Sequence, residues 1–183
     1  MSVPPSQTPG VKQGLPLWLK GASMILLLGF LVFLGLALQK SNIKPLRIGD
    51  EVQNFSFTTF DGKSMSLNDL RGKTVLINIW ASWCVECSVE SEALQTVWQE
   101  AAQGNDVVFL GVDYADSETE ALAFIKEFSI TYLNGPDLGS KIYRQFHATG
   151  VPETYLIDKD GRLMGIKIGP FASADEIRVM LSQ

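Results

Sequence analysis

The chain changes its hydrophobic period several times, and each change predicts an element. Gly21 to Gln39 carries no charge over 19 residues and includes Met24-Ile25-Leu26-Leu27-Leu28 and Phe30-Leu31-Val32-Phe33-Leu34. As a helix this run reaches about 28 Å, close to the ~30 Å hydrocarbon core of a bilayer. Asn54 to Thr59 alternates Phe55 and Phe57 with polar neighbours, and Asp61-Gly62 turns the chain back into Lys63 to Leu67, a hairpin signal. Thr74 to Trp80 and Val107 to Asp113 are continuous apolar runs that read as buried strands, with a helix to about Gln103 between them. Glu118 to Phe128 reads as an amphipathic helix with Leu122, Ile125 and Phe128 on one face, and Leu138 to Phe146 as a third helix. Thr154 to Ile157 and Leu163 to Ile168 flank Lys159-Asp160-Gly161 as a second hairpin. Ser173 caps a last helix through Leu181, with Asp175 and Glu176 in its first turn.

The order β-β, β-α-β-α, β-β-α predicts an α/β domain whose mixed sheet is covered by helices on both faces, with a β-hairpin extension at its N-terminal side. The domain occupies 48–183. Before it come a Pro/Ser/Gln/Gly-rich tail without apolar period (1–14), a transmembrane anchor (15–39) and a short polar linker (40–47). Trp18 and Lys20 suit a membrane interface. A cleaved signal peptide is the alternative for the apolar run, but its core is usually about 7–15 residues, and Gly35-Leu36-Ala37 is a poor cleavage site. Lys12 and Lys20 precede the span while Lys40, Lys44 and Arg47 follow it, so flanking charge does not orient it.

Composition narrows the chemistry. The net charge is −5 and no Lys/Arg run is long enough to follow a phosphate backbone, which argues against a nucleic-acid partner. The single histidine, His147, excludes a His-rich metal site. Its expected place is a surface or a helix end. Both cysteines of the chain, Cys84 and Cys87, fall within four residues. They cannot staple a large fold, and a zinc site would need four ligands that one chain lacks. They suit one short-loop disulfide that opens and closes.

Trp80-Ala81-Ser82-Trp83-Cys84-Val85-Glu86-Cys87 joins a strand to a helix at the C-terminal edge of the predicted sheet, where open α/β sheets place their sites. Cys84 at the helix N-terminus faces unpaired N–H groups and the positive end of the dipole, which favour a thiolate. It is the expected attacking sulfur, and Cys87, one turn in, the resolving one. Glu86, inside the motif, opposes a thiolate at Cys84 and so makes the couple more reducing, unless water screens it. Glu90 falls at the N-terminal end of the stripe Leu94, Val97, Trp98 and Ala101. Partial desolvation there raises a carboxyl pKa, although first-turn electrostatics alone also favour an acid at this position.

The Trp80-Ala81-Ser82-Trp83-Cys84-x-x-Cys87 segment resembles the active site of the thioredoxin superfamily. Several other segments are similar to its membrane-tethered branch, the TlpA/ResA/CcmG-like reductases of cytochrome c maturation. Gly49-Asp50 through Phe57, Asp61-Gly62-Lys63 and Leu70-Arg71-Gly72-Lys73 resemble the N-terminal redoxin-like extension. Cys84-x-x-Cys87-x-x-Glu90 resembles the active site, and Gly150 through Asp158 the cis-proline loop. The resemblance implies a thioredoxin-like fold and a disulfide reductase held on the extracytoplasmic side of the cell membrane by a single-pass anchor. It implies exported protein disulfides such as the C-x-x-C-H of apocytochrome c as substrates, and a transmembrane dithiol donor of the CcdA/DsbD type. It assigns catalysis to Cys84, Cys87, Glu90 and Pro152, and implies a cis Val151–Pro152 bond flanked by Val151 and Glu153 as substrate contacts, with Trp83 shaping the site. No cofactor beyond the Cys84–Cys87 disulfide and no metal is implied. Asn78 stands where cytosolic thioredoxin resembles this segment but carries a buried Asp, so Glu90 is expected to handle the proton. Two other functions share these features. A thiol peroxidase would use the same extension, but Trp80 stands four before Cys84, where such enzymes carry Thr or Ser. A copper-handling protein of this fold would use C-x-x-x-C, one residue longer than the spacing here.

Overall fold

The computed structural model describes residues 17–39 and 46–183. The chain divides after Lys44 into two units. The tail expected over 1–14 and most of the linker expected over 40–47 lie outside the described residues. The first unit contains helix α1, Leu17–Gln39. Its described large apolar side chains are exposed, from Leu19 at 38% to Leu26 at 74%. Among the described residues no helix is long and apolar enough to cross a membrane.

The second unit is built on a five-stranded sheet. In chain order its elements are β1 (Ser56–Thr58), β2 (Ser64–Ser66), a 3-10 turn (Leu67–Leu70), β3 (Thr74–Trp80), α2 (Val85–Ala101), β4 (Val107–Asp113), α3 (Glu118–Glu127), β5 (Leu133–Pro136), α4 (Lys141–Gln145), β6 (Glu153–Ile157), β7 (Leu163–Ile168) and α5 (Ala174–Leu181). The sheet order is β5-β4-β3-β6-β7. β3, β4 and β5 run parallel, while β6 and β7 are antiparallel additions on the other side of β3. β3 is therefore central and buried on both faces, which is why Val75 to Trp80 is apolar apart from Asn78.

Residue parity sorts the core. Val75, Ile77 and Ile79 of β3 face one cluster with the hairpin residues Phe55 and Phe57 and with Ile142 and Phe146 of the α4 region. Leu76 and Trp80 face the other, with Leu94 and Val97 of α2, Phe124 of α3 and Ile177 of α5. The steps β3 to β4 to β5 move in one direction across the sheet, and crossovers of one hand then put α2 and α3 on the same face. The two faces are thus unequal: three helices cover one, and the β1–β2 hairpin with short α4 covers the other.

Two expectations about the elements need correction, and one strand had none. Leu133–Pro136 is a strand, which its Asn-Gly-Pro composition hides by reading as a turn. The helix expected over Leu138 to Phe146 is only Lys141–Gln145, because Asp137 accepts from the N–H groups of Ile142 at 3.0 Å and Tyr143 at 2.8 Å and so starts it late. On α3 the buried face is Ala121 and Phe124, whereas Leu122 is 43% exposed. Gly135 explains why β5 looks unlike a strand. A Cβ there would lie 2.1 Å from the backbone oxygen of Thr58, so the hairpin crosses directly over it. Gly135→Ala should destabilise the protein by about 2–3 kcal/mol by overpacking, measured as a fall in urea midpoint; an unchanged midpoint would mean that the hairpin does not press on β5.

Candidate active site

β3 ends at Trp80, and four residues later Cys84 is the N-cap of α2. Its backbone is extended, and its Sγ accepts a hydrogen bond from the N–H of Cys87 at 3.1 Å. A sulfur in this place receives one of the four N–H groups that a helix start leaves unpaired, and the helix dipole favours its negative charge. Cys87 has no comparable donor set because it already lies inside the helix. The two sulfurs form a disulfide. Cys84 keeps 5% of its surface exposed and Cys87 only 1%. The less buried cysteine is therefore the one with the favourable field.

Around Cys84 the surface is apolar. Trp83 is exposed and donates its indole N–H to the carbonyl of Ala115 at 3.2 Å. Val85 and Val89, one turn apart on the outer face of α2, are exposed beside it. Glu86 is exposed, so water screens its charge from Cys84.

Glu90 is buried more completely than its place in the stripe suggests, with 1% of its surface exposed. Asn78 donates its amide to one carboxylate oxygen at 2.8 Å, and the backbone N–H of Phe171 donates to the other at 2.9 Å. The Asn78 amide also reaches Thr154 Oγ1 at 3.0 Å. Asn78 and Thr154 are register partners on β3 and β6, on the sheet face that α2 covers. Burial pushes the Glu90 carboxyl up to about 7, against the opposing pull of the two hydrogen bonds. One helical turn from Cys87 there is thus a carboxyl that exchanges its proton near neutrality.

The Val151–Pro152 bond is cis. Glu153 pairs with Ile79 in the antiparallel register, so Pro152 lies level with Trp80, at the end of β3 that leads to Cys84. Val151 is half-buried and Pro152 buried. Glu153, expected to contact substrate, does not face outward. It is 2% exposed, and one oxygen accepts from the Thr149 N–H and hydroxyl, both at 2.8 Å, and from the Gly150 N–H at 3.1 Å. The Tyr155 hydroxyl donates to the other oxygen. Its carboxylate ties the 149–151 loop to the start of β6 and is spent inside the fold.

Other residues enter the site without a sequence signal. Trp80 is buried, stacked on Phe124 at 4.7 Å, and donates its indole N–H to Asn134 of β5 at 2.9 Å. Asp113, opposite Trp80 in the β3–β4 register, is 3% exposed, and its Oδ1 has no hydrogen-bond partner. Burial, and after it the neighbouring charge of Asp116, pushes its carboxyl up to about 7. Asp116 Oδ2 accepts from the Ser82 N–H at 2.6 Å, two residues before Cys84. His147 follows α4 at a helix end, in a left-handed conformation with φ 55°. Among the described residues no group of three or more His, Cys, Asp or Glu side chains could hold a metal ion.

Residues 48–166 match the sequence pattern of the AhpC/TSA family. The chain is 30% identical over 141 residues to the thiol-disulfide oxidoreductase ResA of Bacillus cereus, covering 77% of this chain and 79% of that one. It is 33% identical over 156 residues to the thiol:disulfide interchange protein DsbE of Pseudomonas fluorescens, covering 83% and 85%. Among solved structures, a thiol:disulfide interchange protein of the thioredoxin family from Chlorobium tepidum superposes with a TM-score of 0.64 at 26% identity, covering 78% of this chain and 98% of that one.

Proposed function

This chain belongs to the AhpC/TSA family and is a thiol–disulfide oxidoreductase of the ResA/DsbE type, and from that premise we propose that it is a membrane-tethered reductant of exported protein disulfides. The proposed substrate class is the oxidised C-x-x-C-H segment of apocytochrome c before haem attachment. The reading of α1 as a single-pass anchor is supported by the uncharged run Gly21 to Gln39 and by its exposed apolar side chains. The catalytic domain then stands on the extracytoplasmic side, and a transmembrane dithiol carrier of the CcdA/DsbD type returns the cysteines to the reduced state.

The chemistry follows from the two sulfurs and the buried acid. The Cys84 thiolate attacks one sulfur of the substrate disulfide and forms a mixed disulfide, and the other substrate sulfur leaves as a thiolate that takes a proton. Cys87 then loses its proton and attacks Cys84 Sγ. The second substrate sulfur leaves, and the Cys84–Cys87 disulfide forms. Two electrons have passed from the enzyme to the substrate. Glu90 is the proposed acceptor of the Cys87 proton, and its carboxyl near 7, one turn from Cys87, is the observation that carries the reading. Cis Pro152 and half-buried Val151 are proposed to line an extended substrate segment against Trp83.

A thiol peroxidase fits less well. Trp80, four positions before Cys84, is buried with its indole N–H given to Asn134 and offers no hydroxyl to a peroxide. The test is electron transfer from the reduced full-length protein in detergent micelles to an oxidised C-x-x-C-H peptide. Transfer is expected, with a midpoint well below the roughly −120 mV of a strong oxidant such as DsbA. Absence of transfer, or a midpoint at that value, would overturn the reading.

A further inference from the structure

The segment that delivers Cys84 is held by a neighbouring loop. β3 and β4 end together, at Trp80 and Asp113, and the Tyr114 N–H donates to the Trp80 carbonyl at 2.8 Å. Ala115 then takes a left-handed conformation, φ 51°, and turns the chain back over Ala81-Ser82-Trp83. Two contacts grip that segment: Trp83 Nε1 to the Ala115 carbonyl, and the Ser82 N–H to Asp116 Oδ2 at 2.6 Å. The second oxygen of Asp116 accepts from the Ser117 N–H at 2.7 Å.

Beneath this grip lies Asp113, with a carboxylate oxygen that no group in the structure satisfies. An ionised carboxylate is a poor occupant of such a place, next to a second carboxylate and with no donor of its own. Protonated, it becomes a donor, and the neighbouring acceptor is Asp116. The proton belongs on Asp113, whose Oδ1 has no donor, whereas both oxygens of Asp116 already accept backbone N–H groups.

We propose that Asp116, seated by the carboxyl of Asp113, is a positioning residue for Cys84: it fixes the Ser82 N–H and with it the path from the end of β3 to the helix N-terminus. Neither acid touches the sulfurs. They act through the backbone of Ala81 to Trp83.

Because Asp116 also carries a charge near the site, the test separates its hydrogen bond from its field. The measurement is the alkylation rate of Cys84 in the reduced full-length protein as a function of pH, with the labelled residue identified by mass spectrometry. Asp116→Ala removes both the acceptor and the charge, and the rate should fall about tenfold. Asp116→Asn removes the charge but keeps an oxygen for Ser82, and should stay within about twofold of wild type. Asp113→Asn, whose amide donates at every pH, should do the same. Equal behaviour of the two Asp116 variants overturns the proposal, because an idle bond leaves both normal and a field effect alters both alike. An Asp113→Asn variant as slow as Asp116→Ala overturns the part given to Asp113. The inference takes Cys84 as the attacking sulfur. Label on Cys87 in the wild-type protein would overturn that assignment instead, a result separate from either failure above.

Discussion

Replacing Cys87 by Ser should turn the protein from a catalyst into a trap. Cys84 keeps its place at the α2 N-cap and attacks a substrate disulfide as before. The mixed disulfide then has no thiolate one turn away to resolve it, because a serine hydroxyl does not ionise in this range. Multiple turnover should fall below about one-hundredth of the wild-type rate, while the first attack stays close to normal. The adduct is read on a non-reducing gel and by mass spectrometry, and it should disappear on adding dithiothreitol. Cys84→Ser should give no adduct at all. The buried environment of Cys87 is the reason for the asymmetry: its sulfur is closed to a protein substrate and open only to Cys84. An adduct on Cys87 in the Cys84→Ser variant, at a rate near that of the reverse variant, would exchange the two roles.

The second large effect concerns Glu90, and its sign is fixed by burial. Below pH 4.5 the carboxyl is protonated whether the chain is folded or unfolded. Between 4.5 and about 7 the unfolded chain has released the proton and the folded one has kept it. The folded state then binds more protons, so stability falls as pH rises through this window and levels off above it. Raising the carboxyl from 4.5 to about 7 corresponds to a loss of about 3 kcal/mol in the oxidised protein. Glu90→Gln stays neutral throughout and still offers an oxygen to the Phe171 N–H. Its stability should be flatter between pH 5 and pH 8, by an amount of that order, in urea unfolding followed by tryptophan fluorescence. Some slope should remain, since Asp113 is shifted in the same direction. In exchange assays the same variant should resolve its mixed disulfide about a hundredfold more slowly near neutral pH. Parallel stability curves for wild type and variant would return Glu90 to the role of a helix-start charge.

What could be read in the chain was set by the range of the interactions. β3 and β4 announce themselves as apolar runs, and the two hairpins through turn residues. The helix after Cys87 follows from its stripe, and Glu90 stands out as an acid at the N-terminal end of that stripe. β5 did not announce itself: Asn134 serves the Trp80 indole 54 residues away, and Gly135 makes room for Thr58. Those needs override strand composition in a four-residue element. The face of α3 was misread because Leu122 is apolar yet exposed, and nothing local marks Ala121 as the closer contact. Glu153 looked like a substrate contact from its place after Pro152. Its neighbours Thr149 and Tyr155 were visible in the sequence, but only the folded loop shows that they take both of its oxygens. The grip of Asp116 on Ser82 spans 34 residues and has no sequence signature.

The hydrogen bonds of Glu90 also order events during synthesis. The C-x-x-C pair and Glu90 leave the ribosome together on α2, but the Phe171 N–H that holds one oxygen of Glu90 comes 81 residues later. Thr154, which steadies Asn78, follows that strand residue by 76. A chain emerging from the ribosome therefore presents its two thiols well before the acid beside them has been buried. In that interval Glu90 titrates like any exposed carboxyl and Cys87 is as open as Cys84. The nascent protein is an ordinary dithiol, and it becomes a selective one only when the last fifty residues close the sheet and bring α5 onto α2.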